Sequence, residues 1–195
     1  MTPLVYFVRH GQTSWNAEGR LQGQADTDIN ENGRQQATRN GEMLRGLIAN
    51  PADFDFVASP LRRTRETMER VRRAMGLDPK DYRVDPRLKE LHFGDWQGST
   101  YTELEVSDPG SSARRSKDKW NFVPPGQLAE SYQMLLKRVR PFVEQIDRQT
   151  VCVTHGGVIR TLFRTIEHVP ERACARLEVP QDKVLKYENG SLTWL

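Results

Sequence analysis

Cysteine is almost absent from this 195-residue sequence, which holds only Cys152 and Cys174. Two cysteines build no disulfide framework, and Cys152 lies inside an apolar run where a reduced thiol acts as a small hydrophobe. Both are expected to be inert, as in a reducing compartment. No apolar stretch approaches the roughly 20 residues that cross a bilayer, so no membrane is expected as a partner. The first residues lack the basic segment, apolar core and small-residue cleavage site of a secretory leader, and a cytoplasmic protein is the expectation. Histidine is scarce: four residues, scattered, with no Cys/His pair at zinc-ligand spacing, so no metal or other cofactor is expected. Neither sign of charge dominates, since 29 Lys and Arg face 26 Asp and Glu. That balance gives no argument for nucleic acid as a partner. Internal repeats and low-complexity tracts are missing too.

What the sequence does contain is an alternation of strands and helices. Leu4 to Val8 is a continuous apolar run, read as a strand buried on both faces. Ser14 to Leu21 reads as a polar loop or single helical turn. Asn30 is a plausible N-cap for a helix running toward Pro51, weakened by Gly41 and Gly46. Phe54 to Ala58 is a second strand. Ser59-Pro60 then reads as N-cap and first residue of a helix whose stripe is Thr64, Met68, Val71 and Met75, closed by Gly76 as C-cap. The arginines of this helix, Arg62 to Arg73, are expected mostly to form a solvated face paired with Glu66 and Glu69. No recognisable nucleic-acid module accompanies them.

Tyr82 to Val84 is expected as a third strand, Leu88 to Gly98 as a loop and Tyr101 to Val106 as a short helix. Residues 107–126, with a basic cluster between Ser112 and Trp120, read as a long irregular excursion. Leu128 to Ile146 returns to helix, with a kink or break expected at Pro141. Val151 to Thr154 is a buried strand feeding another helix. A hairpin, Val184 to Glu188 and Ser191 to Leu195, closes the chain on the two-residue turn Asn189-Gly190. The order predicts one α/β domain over residues 1–195: a three-layer αβα sandwich whose central sheet is mainly parallel, with an antiparallel edge.

Two buried strands end in His-Gly: Arg9-His10-Gly11 and His155-Gly156-Gly157. Ligands of open parallel sheets bind at the carboxyl ends of strands. Arg9, the arginines after Ser59-Pro60 and the helix start after His155 would make that edge cationic, and phosphate is the commonest metabolic anion. A neutral imidazole beside phosphate can attack phosphorus and carry the phosphoryl group, chemistry that needs no metal. Glu90, Glu103 and Glu105 are equally eligible for proton transfer on residue type alone.

Arg9-His10-Gly11-Gln12-Thr13 with Asn16 resembles the signature of the histidine phosphatase superfamily, in its phosphoglycerate mutase-like branch. Leu21-Gln22-Gly23, Gly33 to Ala37, Ser59 to Arg63, Leu88-Lys89-Glu90 with Gly94, Trp96 and Gly98, and Thr154 to Gly157 follow in family order. The resemblance implies the fold class above. It implies that His10 is the phosphorylated nucleophile, that Arg9, Arg63 and His155 line the phosphate pocket, and that Glu90 exchanges protons with leaving group and water. Asn16, Gln22, Gly23 and Gly156 would lie on the substrate side, and Arg62 at the rim. Asp28-Ile29-Asn30, and Gln127-Leu128-Ala129 before Glu130-Ser131, depart from the family pattern.

The function implied is a metal-independent phosphomonoester hydrolase acting on a phosphorylated small molecule. The alternative is a cofactor-dependent phosphoglycerate mutase, and a third reading is a non-catalytic phospho-ligand-binding protein. Only 65 positions (155 − 90) carry the chain from Glu90 to His155. Relatives with mutase activity generally insert a covering segment there, which favours hydrolysis. A homodimer is one option for the oligomeric state, which the sequence leaves open.

Overall fold

A computed structural model of the chain describes residues 3–195. In chain order the elements are β1 (Val5–Arg9), α1 (Ser14–Ala17), α2 (Glu31–Leu47), β2 (Asp55–Ala58), α3 (Arg62–Ala74), β3 (Arg83–Val84), α4 (Tyr101–Ser107) and α5 (Ser111–Lys117). There follow α6 (Tyr132–Glu144), β4 (Thr150–Thr154), α7 (Gly156–Ile166), α8 (Glu171–Cys174), β5 (Val184–Glu188) and β6 (Ser191–Trp194). The strands form one sheet in the order β3-β2-β4-β1-β5-β6. The first four are parallel, and β5 and β6 are antiparallel. Among the described residues no helix is long and apolar enough to cross a membrane.

The two faces of the sheet follow from the period of two along each strand. Val5, Phe7, Val57 and Cys152 point into one apolar layer with Leu135, Val139, Ile159 and Leu162 of α6 and α7. Tyr6, Val8, Phe56, Val151 and Val153 point into the other, with Leu44, Met68 and Val71 of α2 and α3. Central strands covered on both faces read as continuous apolar runs, and β1 and β4 do. The αβα sandwich with its antiparallel edge is the observed architecture.

Local readings needed revision where a distant group supplied what sequence could not display. Ser59 is not the N-cap of α3; Leu61 takes that place without a side-chain cap. The Arg62 N–H instead donates to Asp26 Oδ1 at 2.7 Å. Gly76 sits one residue beyond the Met75 C-cap at φ +77°, and the Gly76 and Leu77 N–H groups donate to the Arg73 and Arg72 carbonyls, a Schellman closure. The third strand omits Tyr82. Helix α6 begins at Tyr132 rather than Leu128 and runs past Pro141 to Glu144 as one helix. Pro141 and Lys137, whose carbonyl it leaves without a helical partner, are both exposed. The excursion at 107–126 is not irregular throughout, because it contains α5. Arg72 departs from the solvated face of α3: it is buried over the Phe56 ring at 4.4 Å and reaches Asp81 at 3.1 Å.

At the turn after β1 a Cβ on Gly11 would come 2.2 Å from the Gly33 carbonyl oxygen, so this glycine serves the close approach of α2 to the turn. Asn189 and Gly190 both have positive φ, as their turn requires.

Candidate active site

Parallel pairing of β1 with β4 sets Arg9 opposite Thr154, so the residues that follow, His10 and His155, emerge side by side. Their rings meet edge to face with centroids 5.2 Å apart. Backbone anchors hold His10: its N–H donates to the Thr154 carbonyl at 2.9 Å, and its carbonyl accepts from Gln181 Nε2 at 3.0 Å. The next residue is held as well, since the Gly11 N–H donates to Thr67 Oγ1 at 3.0 Å. His10 Nδ1 lies 2.8 Å from the Gly11 carbonyl oxygen. A carbonyl only accepts, so the proton sits on Nδ1 and Nε2 keeps its lone pair. Burial, then the charges of Arg63 and Arg9, hold the imidazole pKa well below its ordinary value. The ring is neutral at neutral pH, as a nucleophile must be.

His155 is fully buried and its pKa is likewise depressed, by burial and then by Arg63, His10, Arg9 and Arg138. Its Nε2 lies 2.8 Å from Ser59 Oγ, and that oxygen accepts weakly from the Leu61 N–H at 3.4 Å. The serine proton finds an acceptor only if Nε2 is unprotonated, which leaves the imidazole hydrogen on Nδ1. That Nδ1 is buried without a protein hydrogen-bond partner, as are Arg9 Nε and Arg63 Nε. Arg63 spends its other nitrogens on the Ala25 and Gly23 carbonyls, at 2.8 and 2.6 Å. Arg9 Nη1 donates to the Val179 carbonyl at 2.6 Å. Burial lowers both guanidinium pKa values to about 10, which leaves them charged at neutral pH. Buried donors without acceptors are costly, and an oxyanion satisfies them.

Glu90 faces these cations from the loop after β3. Its Oε1 accepts from the Leu91 N–H at 2.8 Å and its Oε2 from the Gly157 N–H, in the first turn of α7, at 3.0 Å. A Cβ on Gly157 would come 2.1 Å from Oε1, so the second glycine after His155 makes room for the carboxylate. The loop itself is held by Arg138 of α6, which donates to the carbonyls of Arg87, Lys89 and Glu90 and pairs with Glu130 at 2.7 Å. Glu130 also accepts from the His92 N–H, and Ser131 caps α6. The departure at Gln127 to Ala129 is absorbed by Leu128, exposed at φ +62°, without displacing either residue.

A cleft of about 140 Å³ gathers Arg9, His10, Asn16, Gln22, Gly23, Arg63 and Glu90. His155 lies behind His10, and a Cβ on Gly156 would come 3.5 Å from Arg9 Nε. Every residue expected at the site is therefore at or beside the cleft. The rival carboxylates do not line it. Glu103 closes the capping box of α4 and pairs with Arg20. Glu105 accepts from the Gly110 and Ser112 N–H groups, which pull its pKa down to about 2. Arg62 is exposed and paired with Asp28, as expected of a rim residue. Among the described residues no three His, Cys, Asp or Glu side chains converge as a metal-ligand set.

Sequence reasoning missed Arg20, Tyr132 and Arg160 on the walls, and Ser59, Arg138 and Gln181 behind them.

The family model described as histidine phosphatase superfamily (branch 1) matches residues 5–194. Over 179 residues the chain is 35% identical to glucosyl-3-phosphoglycerate phosphatase of Mycobacterium tuberculosis, covering 85% of this chain and 76% of that protein. It is 30% identical over 197 residues to the probable phosphoglycerate mutase GpmB of Erwinia tasmaniensis, covering 98% and 87%. A solved structure of the mycobacterial glucosyl-3-phosphoglycerate phosphatase in complex with VO3 superposes with a TM-score of 0.80 at 31% identity, covering 99% of this chain and 96% of that one. The chain belongs to the histidine phosphatase superfamily, branch 1.

Proposed function

We propose that the protein hydrolyses a phosphomonoester of a small molecule through a phosphohistidine on His10. The observation that carries this reading is the hydrogen bond from His10 Nδ1 to the Gly11 carbonyl, which frees Nε2 beside three buried, unpartnered nitrogens. In the first step the Nε2 lone pair forms a bond to phosphorus as the ester P–O bond breaks. Glu90 gives its proton to the departing alkoxide. Arg9, Arg63 and His155 donate to the equatorial oxygens, where charge accumulates in the transition state. In the second step the Glu90 carboxylate takes a proton from water, whose oxygen bonds to phosphorus while the P–Nε2 bond breaks. Inorganic phosphate leaves and His10 is neutral again.

In this reading Asn16, Gln22 and Gly23, which line the cleft, and Gly156, beside Arg9, take the alcohol portion of the ester. Hydrolysis rather than phosphoryl return is supported by the short interval from Glu90 to His155, and by the relative named as a phosphatase. The mutase reading draws on the relative named for that activity. The test is hydrolysis of p-nitrophenyl phosphate with chelator present, alongside isomerisation of 3-phosphoglycerate with bisphosphoglycerate supplied. Hydrolysis that persists in chelator supports the reading. Loss on chelation with rescue by a metal overturns the mechanism, and rapid isomerisation moves the assignment to the mutase.

A further inference from the structure

The stretch from Gly33 to Ala37 matches the family pattern yet lines no part of the cleft, and one of its residues reaches the nucleophile by another route. Helix α2 starts against the turn that follows His10. Its cap, Asn30, donates from the main-chain N–H to the Gln12 carbonyl at 2.8 Å and from Nδ2 to Gln12 Oε1 at 3.0 Å. A Cβ on Gly33 would come 2.2 Å from the Gln12 carbonyl oxygen, so a side chain there would force helix and turn apart. One turn further along α2, Gln36 Oε1 accepts from the Gln12 N–H at 2.9 Å.

The Gln12 N–H and the Gly11 carbonyl are the two ends of one planar peptide and point in opposite directions. The carbonyl end is the acceptor for His10 Nδ1, at 2.8 Å. Gln36 and His10 therefore grip the same peptide from opposite sides. Hydrogen bonds in such a chain polarise one another, so an acceptor on the N–H makes the carbonyl a stronger acceptor for the imidazole. The same contact fixes the plane of the peptide and hence the aim of the carbonyl at the ring. The peptides on either side have their own anchors, Thr67 on the Gly11 N–H and Asn30 on the Gln12 carbonyl, and Gln36 anchors the one between.

We propose that Gln36 is a positioning residue for the nucleophile, keeping the ring proton of His10 on Nδ1 through the Gly11–Gln12 peptide and so leaving Nε2 free to attack. The proposal rests on the reading that His10 accepts the phosphoryl group, and it adds the group that sets the tautomer. As Nε2 bonds to phosphorus the ring becomes cationic, and the bond from Nδ1 to the Gly11 carbonyl becomes charge-assisted. The support from Gln36 is then stronger in the transition state than in the resting protein, which is the condition for raising rate rather than affinity.

The experiment replaces Gln36 by Met, which keeps the length and helix propensity but removes the acceptor, and by Glu, which restores an oxygen there. Nitrogen NMR shifts of isotopically labelled histidine rings report which nitrogen carries the proton, and a His10→Gln spectrum identifies the His10 signals. The unaltered protein and Gln36→Glu should show Nδ1 protonated and Nε2 bare, whereas Gln36→Met should populate both tautomers. The first-turnover release of p-nitrophenol from p-nitrophenyl phosphate should fall roughly five- to tenfold in Gln36→Met, the worth of one such hydrogen bond, and recover in Gln36→Glu. The inhibition constant of inorganic phosphate should stay unchanged, as it would not if the substitution merely loosened the fold. An unchanged His10 ring in Gln36→Met, or a lost rate that Gln36→Glu fails to recover, overturns the proposal. Gln36→Asn, which withdraws the amide by one methylene, replaces Gln36→Met if that chain does not fold. The ring signals are read without turnover, so a protein that hydrolyses nothing, or turns over without His10, would fail the hydrolase reading and leave this test decisive.

Discussion

Two neighbouring glycines at the start of α7 should respond very differently to alanine. A Cβ at residue 157 lands 2.1 Å from Glu90 Oε1 and 3.1 Å from Leu135 Cδ2, and Leu135 is wholly buried and cannot yield. The carboxylate must therefore retreat by about 1.3 Å, to an ordinary contact near 3.4 Å. That movement breaks its bond from the Gly157 N–H and carries the proton donor away from the leaving group. A misplacement of about 1 Å costs on the order of 100-fold in rate. A Cβ at residue 156 meets only Arg160 Nη1 at 3.3 Å, the end of a flexible side chain, and Arg9 Nε at 3.5 Å. Both substitutions gain up to about 1 kcal/mol of helix propensity, so both proteins should fold. With p-nitrophenyl phosphate, kcat of Gly157→Ala should fall roughly 100-fold and lie at least about tenfold below that of Gly156→Ala. Thermal midpoints measured alongside separate lost activity from lost structure. Equal kcat in the two folded variants would refute the placement of Glu90 as proton donor.

Two further outcomes follow from the buried imidazoles. Ser59→Ala removes the hydroxyl donor to Nε2 that keeps the His155 hydrogen on Nδ1, so the inhibition constant of inorganic phosphate should rise about tenfold, and an unchanged constant would separate Ser59 from the anion pocket. His10 and His155 both have folded pKa values well below 6.5, so the unfolded chain binds more protons as pH falls. Their contribution to stability is complete above pH 6.5 and lost below it, with a slope of up to about 2.7 kcal/mol per pH unit for two groups. Urea midpoints between pH 6.5 and 5 should show that slope, and a His10→Gln/His155→Gln variant should flatten it.

The fold was legible wherever one stretch of chain carries its own instruction. Val5 to Val8 and Val151 to Val153 are apolar at every position because helices cover both faces, and Asn189-Gly190 has the two residues its turn demands. Legibility failed where the deciding partner is remote in sequence. Ser59 looks like a helix cap, yet its hydroxyl is committed to His155, 96 residues on, while Asp26 serves the Arg62 N–H. Arg138 and Gln181 read as unremarkable polar residues, and only the tertiary structure shows them holding the loop of Glu90 and the carbonyl of His10. Arg72 resembles its exposed neighbours until Phe56 is found beneath it. At the site, residue type left three glutamates level. Position separates them, since Glu90 lines the cleft with His10, Arg9 and Arg63, while Glu103 and Glu105 lie outside it, at the starts of α4 and α5.

The central claim is that Nε2 of His10 accepts the phosphoryl group, and trapping that intermediate tests it most directly. Rapid quenching during turnover of a labelled phosphomonoester, followed by mass spectrometry under alkaline conditions, should find an acid-labile phosphoryl group on the peptide carrying His10. Labelling and turnover should both vanish in His10→Ala. A phosphoryl group on any other residue, or a His10→Ala protein that turns over near the wild-type rate, would contradict the account.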